Sequence, residues 1–506
     1  MASLKKNIVV NIIARFWSAG ILILLVPFYI KYLGIEAYGL VGFYATLIGA
    51  LLILDFGLSI TLNRELAKYK SENKPIVDIR NLTFSLECVY WAVGTALSLI
   101  VIAFSGVIAE YWVNAEELSV HEVQQAVMLM GIIILFQWPI SLYSGGLSGL
   151  EKQVLNNIII IVMSTIRASG VLLVLAYFSS TVYAFFLWQA VTTFIYVLLM
   201  KWALWKEMPG RHLSKRFSKQ QIKLIWRFAA GMTAVSLVTF LLSQIDKIIL
   251  SKMLSLSQFG YYSLALSIAS CITLLTAPVI ISFFPRYSYS FAAKNFDDLK
   301  NLYHKSSKLI AVLIFPLSFF LLFFMQDVLL IWTKNAEITK NTYLLAQILV
   351  IGNMLNALMN VPYNLLIASG YTRFAFIQNF IAALLMVPLL ILLTNLYGAN
   401  GAAFVWVLIN AGYILISMPL IHLKLLKKEL KNWYLNDTLK PMLVPLFLFA
   451  MIKYFFQHFL PDAPLSLIIL SLVFFTVFLT SLLTNLPEAS IAMKNAFSNF
   501  KKQHAQ

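Results

Sequence analysis

Charge is scarce in this sequence: only 12% of the 506 residues are Asp, Glu, Lys or Arg, 60% are hydrophobic, and the mean hydropathy is +0.83. That balance excludes a soluble globular domain and points to an integral membrane protein. Cysteine is nearly absent. Cys88 and Cys271 both lie in apolar runs without metal-ligand neighbours, which excludes a disulfide framework and a zinc site and leaves two small buried residues. No metal and no cofactor is expected. No G-x-x-x-x-G-K-[ST] stretch occurs, so ATP is not the direct energy source. No cleavable signal peptide is expected, because the first apolar run begins at Ile8 and passes through Arg15 to Ile30.

What is abundant is apolar sequence in lengths of about twenty residues, enough to cross a bilayer core. On that ruler the chain predicts fourteen spans, at 8-30, 39-61, 84-109, 124-147, 154-177, 181-200, 228-251, 259-284, 308-331, 341-366, 374-396, 400-421, 441-459 and 465-485. With both termini inside, only Lys31, Lys252, Lys334 and Lys340 fall in external loops. The positive-inside rule selects that orientation. The formal charge of +17 is therefore a consequence of topology and anionic lipid, not a nucleic-acid footprint. Trp112, Trp202, Trp205, Trp226 and Trp332 sit at span ends as interfacial anchors.

An offset of 221 aligns KYLGIEAYGLVG (31-42) with KMLSLSQFGYYS (252-263), Gly131 with Gly352, and SGLEK (148-152) with SGYTR (369-373). Spans one to six thus correspond to spans seven to twelve. The fold expected is all-α, with two parallel-repeat six-helix lobes (1-200 and 228-423), a basic cytoplasmic connector (201-227), and two additional helices with a cytoplasmic tail (424-506). Two such lobes about an axis along the membrane normal form a natural alternating-access scaffold.

Charged and amide side chains within spans are costly to insert and face protein or a wet cavity. In span one, Asn11, Arg15 and Ser18 share an arc of about 60°; in span five, Asn156, Asn157, Ser164 and Arg167 share about 100°. Span seven carries Ser236, Thr239, Ser243, Asp246 and Lys247. In span ten, Asn353, Asn356, Asn360 and Asn364 fall within about 80°. Uncharged amides suit a surface along which hydroxyl-rich groups exchange hydrogen bonds; the alternative is that they join helices to one another. Arg15 and Arg167 are permanent cations, and with Asp246 and Lys247 roughly neutral as a pair, they bias a cavity toward anions. Asp55, in span two, reads either as a proton or ion carrier or as the partner of Arg15 or Arg64. Glu87, Asp327 and Lys453 receive no role.

The segment LLVPFYIKYLGIEAYGLVGFYATLIGALLILDFGLSITLNREL (24-66), with SQIDKIILSKMLSLSQFGYYSLALSI (243-268), resembles the Wzx-type polysaccharide flippases of the multidrug/oligosaccharidyl-lipid/polysaccharide (MOP) exporter superfamily. The resemblance implies a lipid-linked oligosaccharide substrate on undecaprenyl pyrophosphate. It is moved from the cytoplasmic to the periplasmic leaflet of the bacterial inner membrane for O-antigen, capsule or related glycan assembly. It also implies a cationic lumen whose charges match Arg15, Arg167, Asp246 and Lys247 here. A polysaccharide polymerase and a chain-length regulator are the protein partners it suggests; membrane lipids are the surroundings, and no nucleic acid is involved. Many members have twelve spans, whereas the related lipid II flippases have fourteen.

Two other classes stay open. A cation-coupled drug exporter of the same superfamily would need acidic coupling sites in the first lobe, where Asp55 is the deepest carboxylate. A membrane glycan polymerase or glycosyltransferase would need a long external loop or paired carboxylates for acid/base work, and the external loops here are short.

Overall fold

In the computed structural model, residues 2–51, 55, 57–69, 75–223, 243–456 and 463–486 are described. Apart from one isolated bridge between Asn114 and Ser255, every regular element among them is helical. Among the described residues, ten stretches are long and apolar enough to cross a membrane. One of these, Thr372–Leu425, runs to 54 residues, too long for one crossing at about 1.5 Å per residue. The chain is thus a multi-span, all-α membrane protein. It divides into two compact units, Met1–Ser263 and Leu264–Gln506.

The first unit contains α1 (Ala2–Leu33), α2 (Ile35–Leu51), α3 (Leu58–Lys68), α4 (Ile76–Ala103), the short α5 (Ser105–Val107) leading into a π-turn, α6 (Val120–Gly149), α7 (Gln153–Tyr177), α8 (Val182–Glu207), α9 (243–253) and the start of α10 (Leu256–Ala269). Expected span seven lies partly outside the described residues: of its polar set, Ser236 and Thr239 are not described. Expected span two is not one helix. It breaks between α2 and α3, where Gly57 takes a left-handed φ of 65° and the Asp55 carboxylate accepts the Ser59 amide. A carboxylate at a helix N-terminus satisfies an orphan donor and the dipole together.

Small residues let these helices approach closely. On α6, Gly145 and Gly149 lie against the Ser59 and Asn63 carbonyls of α3, so a Cβ there would stand 2.6 and 2.5 Å from oxygen. Leu62, Leu82, Leu86, Tyr90, Trp138 and Leu204 fill the core beside this seam. On α2, Gly39 and Gly42 face α10: a Cβ on Gly39 would stand 2.2 Å from the Leu256 carbonyl oxygen. Gly260 of α10 faces back, 2.3 Å in the same sense from the Ile35 oxygen. Ile35 and Leu256 begin their helices, and each glycine follows at the same distance in sequence.

The second unit continues with α11 (Cys271–Ala292), α12 (Phe296–Thr333), α13 (Ala336–Ala368), α14 (Thr372–Gly412), α15 (Met418–Leu425), α16 (Leu430–Asn432), α17 (Lys440–Phe456) and α18 (Ala463–Asn485). Gly398, at φ 60° and ψ −142°, divides α14 between expected spans eleven and twelve, in a region of backbone space open essentially to glycine alone. At 38 residues, α12 exceeds the bilayer core by several turns, and the surplus is its charged beginning, FDDLKNLYHKSSK (296-308).

Candidate functional site

The polar arcs of α1 and α7 face each other. Trp17 Nε1 donates to Thr165 Oγ1 at 2.8 Å, Ser18 Oγ to Ser164 Oγ at 3.3 Å, and Asn157 Nδ2 to Asn11 Oδ1. Where this seam opens, a cavity of about 420 Å³ lies among α1, α2, α6, α7 and α8. Arg167 is its charged residue. Its guanidinium donates from Nη2 to Tyr44 Oη at 2.7 Å, from Nη1 to Gln137 Oε1 at 3.4 Å, and from Nε to Gln189 Oε1. All three acceptors are neutral, and no carboxylate is among the described lining residues. The cation is therefore positioned but not neutralised, which leaves positive potential in a site walled largely by Leu22, Ile48, Ile160, Met163 and Phe185. In such low-dielectric surroundings that potential is felt more strongly than in water.

Ile48, Gln137 and Tyr196 also line a neighbouring cavity of about 200 Å³ that contains Asp55. The carboxylate accepts from Tyr90 Oη and Ser141 Oγ on one oxygen and from Ser59 Oγ, at 2.7 Å, on the other. The partners shown are hydroxyl and amide groups.

Arg15 does not join Arg167: the cavity is lined from α1 by Ser18, Leu22 and Tyr29. Its side chain is exposed, and no hydrogen bond or ion pair involves it among the described residues. Asp246 accepts from Tyr262 Oη at 2.9 Å and lies 3.8 Å from Lys247 Nζ, a local pair as the sequence implied.

The asparagine stripe of α13 divides. Asn353 is buried and accepts from Trp406 Nε1 at 3.0 Å, and Asn356 Nδ2 donates to Asn410 Oδ1 at 2.8 Å. These two join α13 to α14. Asn360 and Asn364 are half-buried and bond only to carbonyls of their own helix, so their Oδ1 atoms are open to other donors.

Charges without an assigned role in the sequence turn out to be partners. Glu87 is buried and accepts from Tyr143 Oη at 2.8 Å and Trp205 Nε1 at 3.0 Å while pairing with Lys201 at 2.8 Å. Lys453 pairs with Asp327 at 3.1 Å. Sequence reasoning missed two further clusters. Buried Glu36 accepts the amides of Glu116 and Glu117 at 2.6 and 2.7 Å. His304 stands between Asp437, at 2.5 Å from Nδ1, and Glu429, at 3.0 Å from Nε2.

A family model described as "Polysaccharide biosynthesis protein" matches residues 4–291, and one described as MatE matches residues 232–392. The Shigella flexneri "Putative O-antigen transporter" is 25% identical over 407 residues, covering 80% of this chain and 94% of that protein. A structure of the lipid II flippase MurJ in an inward closed conformation superposes with a TM-score of 0.73 at 14% identity, over 96% of this chain and 99% of that one. An inward-facing multidrug resistance MATE family transporter of the MOP superfamily gives 0.68 at 13% identity, over 82% and 96%. At these identities the structures speak to the fold.

Proposed function

The chain belongs to the polysaccharide biosynthesis protein family; from that premise we propose a membrane transporter of the MOP superfamily and not an enzyme, a flippase for undecaprenyl-pyrophosphate-linked oligosaccharide repeat units acting in O-antigen, capsule or exopolysaccharide assembly. The observation that carries this reading is Arg167, a fixed cation held by neutral groups in a cavity whose described lining has no carboxylate. A planar guanidinium with spare positive potential suits phosphate oxygens. Exposed Arg15 is the second cation we assign to the diphosphate, and the Asp246 and Lys247 pair to the wall of the same path. Asn360 and Asn364, with open carbonyl oxygens, are the amides we assign to the sugars; Asn353 and Asn356 support them through α14.

Movement follows alternating access of two six-helix lobes, with fourteen spans, both termini cytoplasmic, and the polyprenyl tail left in lipid. The meeting of α2 and α10 at Gly39 and Gly260 supports a two-fold relation between the repeats. Ligand drives such a change only through unequal affinity for its two states. Asp55, bonded to hydroxyl donors, is the candidate coupling group. Reporter fusions after residues 75, 215 and 500 should read cytoplasmic, and those near 117 and 336 periplasmic; an opposite reading at 117 sinks the topology.

The deciding experiment measures membrane abundance and translocated lipid-linked glycan together for Arg167→Ala and Arg167→Lys. Alanine should reduce transport on the order of a hundredfold, the scale of one or two charged hydrogen bonds, at normal abundance. Lysine should retain part, because it keeps charge but loses the fork. Normal transport in the alanine variant refutes the assignment. Transport of lipid II is the second reading, favoured by the fold likeness to MurJ over nearly the whole chain. Reconstituted vesicles offered either lipid-linked substrate separate the two.

A further inference from the structure

Where α8 emerges from the membrane, Lys201 and Lys206 of its last turns and Arg211 and Lys215 of the segment beyond gather around two indoles. A pocket of about 630 Å³ is lined by Leu198, Lys201, Trp202, Trp205, Lys206, Arg211 and Lys215. Of its four cations, Lys201 alone forms an ion pair among the described residues, with Glu87 at 2.8 Å. Glu207, on the same turn, forms its ion pair with Lys152 at 2.8 Å and acts on Lys206 and Arg211 through charge alone, so that Lys152, Lys206 and Arg211 share one carboxylate. The remaining three are held in place by neutral groups. Lys206 Nζ lies 4.4 Å from the Trp202 ring centre, Lys215 Nζ lies 3.9 Å from that of Trp205, and Arg211 Nε donates to the Lys206 carbonyl at 2.7 Å. Three ordered, unpaired cations ask for an anion of more than one charge-bearing oxygen.

The pocket is also the lower end of an apolar face. Leu187, Val191, Leu198 and Trp202 recur along α8 at helical spacing and are 42, 46, 46 and 57% exposed. At about 1.5 Å per residue, Trp202 stands roughly 30 Å from Val182, one hydrocarbon thickness away. Apolar surface therefore runs through the bilayer and stops where the cations begin, with indoles at the boundary, as interfacial tryptophans should be. None of the residues around the pocket lines the Arg167 cavity.

We propose that this pocket binds the head group of an anionic phospholipid of the cytoplasmic leaflet, with an acyl chain lying along the Leu198 to Leu187 face of α8. The inference rests on the cytoplasmic placement of residue 215 made above, and the reporter fusion there tests that placement separately. A free phosphate would use the cations but not the apolar face; a zwitterionic lipid would use the face but offer the cations no net charge. Through Glu87, the occupied site would join α8 to α4 and α6, because Lys201 and Trp205 share that carboxylate with Tyr143.

The test is native mass spectrometry of the detergent-purified full chain with phosphatidylglycerol and with phosphatidylcholine of the same acyl chains. One phosphatidylglycerol should remain bound when phosphatidylcholine has dissociated. Lys206→Gln, Arg211→Gln and Lys215→Gln together should weaken retention roughly a hundredfold, at about fivefold per cation near a membrane surface. Lys427→Gln, Lys428→Gln and Lys431→Gln together should leave it unchanged. Equal retention of the two lipids, or unaltered retention in the first triple variant, overturns the proposal. So does displacement of the lipid by inorganic phosphate, which would make this a phosphate site, or tighter binding of undecaprenyl pyrophosphate, which would make it a docking point for the transported lipid. Should the first triple variant aggregate, the wild type decides alone: affinity for phosphatidylglycerol must fall as salt rises, and indifference to salt counts against the site.

Discussion

Arg167 and, when protonated, His304 are cations inside helical bundles, and they are surrounded in opposite ways. The guanidinium rests on Tyr44, Gln137 and Gln189, none of which carries charge. The imidazole sits between Asp437 and Glu429, and Glu429 is pinned in turn by Lys300 at 2.5 Å. A charge whose task is to hold helices together is answered by opposite charge within the protein. One whose task is to attract something from outside must be held by neutral groups, since a fixed carboxylate would consume its potential. On the proposed reading of Arg167, partners, more than residue type or burial, separate a structural cation from a substrate-facing one in this chain.

The comparison can be broken most forcefully at Asp437. Asp437→Ala leaves the imidazole beside a lost partner and should cost about 3 kcal/mol of stability, seen as a lower melting temperature in detergent, while transport per folded molecule stays normal. Arg167→Ala should show the converse, lost transport with little change in melting. If both variants lose both properties in proportion, the distinction fails.

A pH series sharpens the same contrast. Burial alone pushes the His304 imidazole down, but the hydrogen bonds and charges of Asp437 and Glu429 outweigh it and the net direction is up. A raised histidine contributes stability that is fully present below its ordinary value of about 6.5 and is lost as pH rises through the folded value. Melting temperature should therefore decline as pH climbs above about 6.5, and His304→Gln should flatten that decline. A flat wild-type profile over this window would mean that the cluster is not held by charge.

Smaller effects are expected from the stripe on α13. In a Cys88→Ser and Cys271→Ser background, single cysteines at Asn360 and Asn364 should react with a small hydrophilic thiol reagent faster than one at buried Asn353. Equal rates would remove the division of the stripe into joining and open amides. Smallest of all is Lys453→Gln, which breaks a partly exposed pair with Asp327 and should shift stability by about 0.5 kcal/mol; a larger loss in a melting curve would show that the pair is better shielded than its exposure implies.

How much of this was legible in the sequence follows from the range of each interaction. Hydrophobic length is a local property, and the all-α, multi-span fold could be read from it. The break in span two could not, because it depends on one glycine conformation and a carboxylate bond to the Ser59 amide. The polar arcs on α1 and α7 could be seen, but periodicity cannot distinguish a seam from a wall; Asn11 meets Asn157 while Arg167 meets a cavity. Pairings across long separations were invisible for the same reason. Asp327 and Lys453, 126 residues apart, each looked idle alone, and Glu87 became intelligible only once α4, α6 and α8 were seen to converge on it. The basic connector was visible as composition, yet that Lys206, Arg211 and Lys215 line one pocket was not.

The paired glycines of α2 and α10 carry an evolutionary consequence. Copies of a duplicated segment ordinarily drift independently, each accepting what its own surroundings tolerate. Here Gly39 of α2 leans on Leu256, the first residue of α10, and Gly260 of α10 on Ile35, the first residue of α2, so each helix is the mould in which the other is cast. A methyl group on either would push against backbone, which has no rotamer with which to yield. If the two halves arose by the proposed duplication, this is the point at which neither can change without the other.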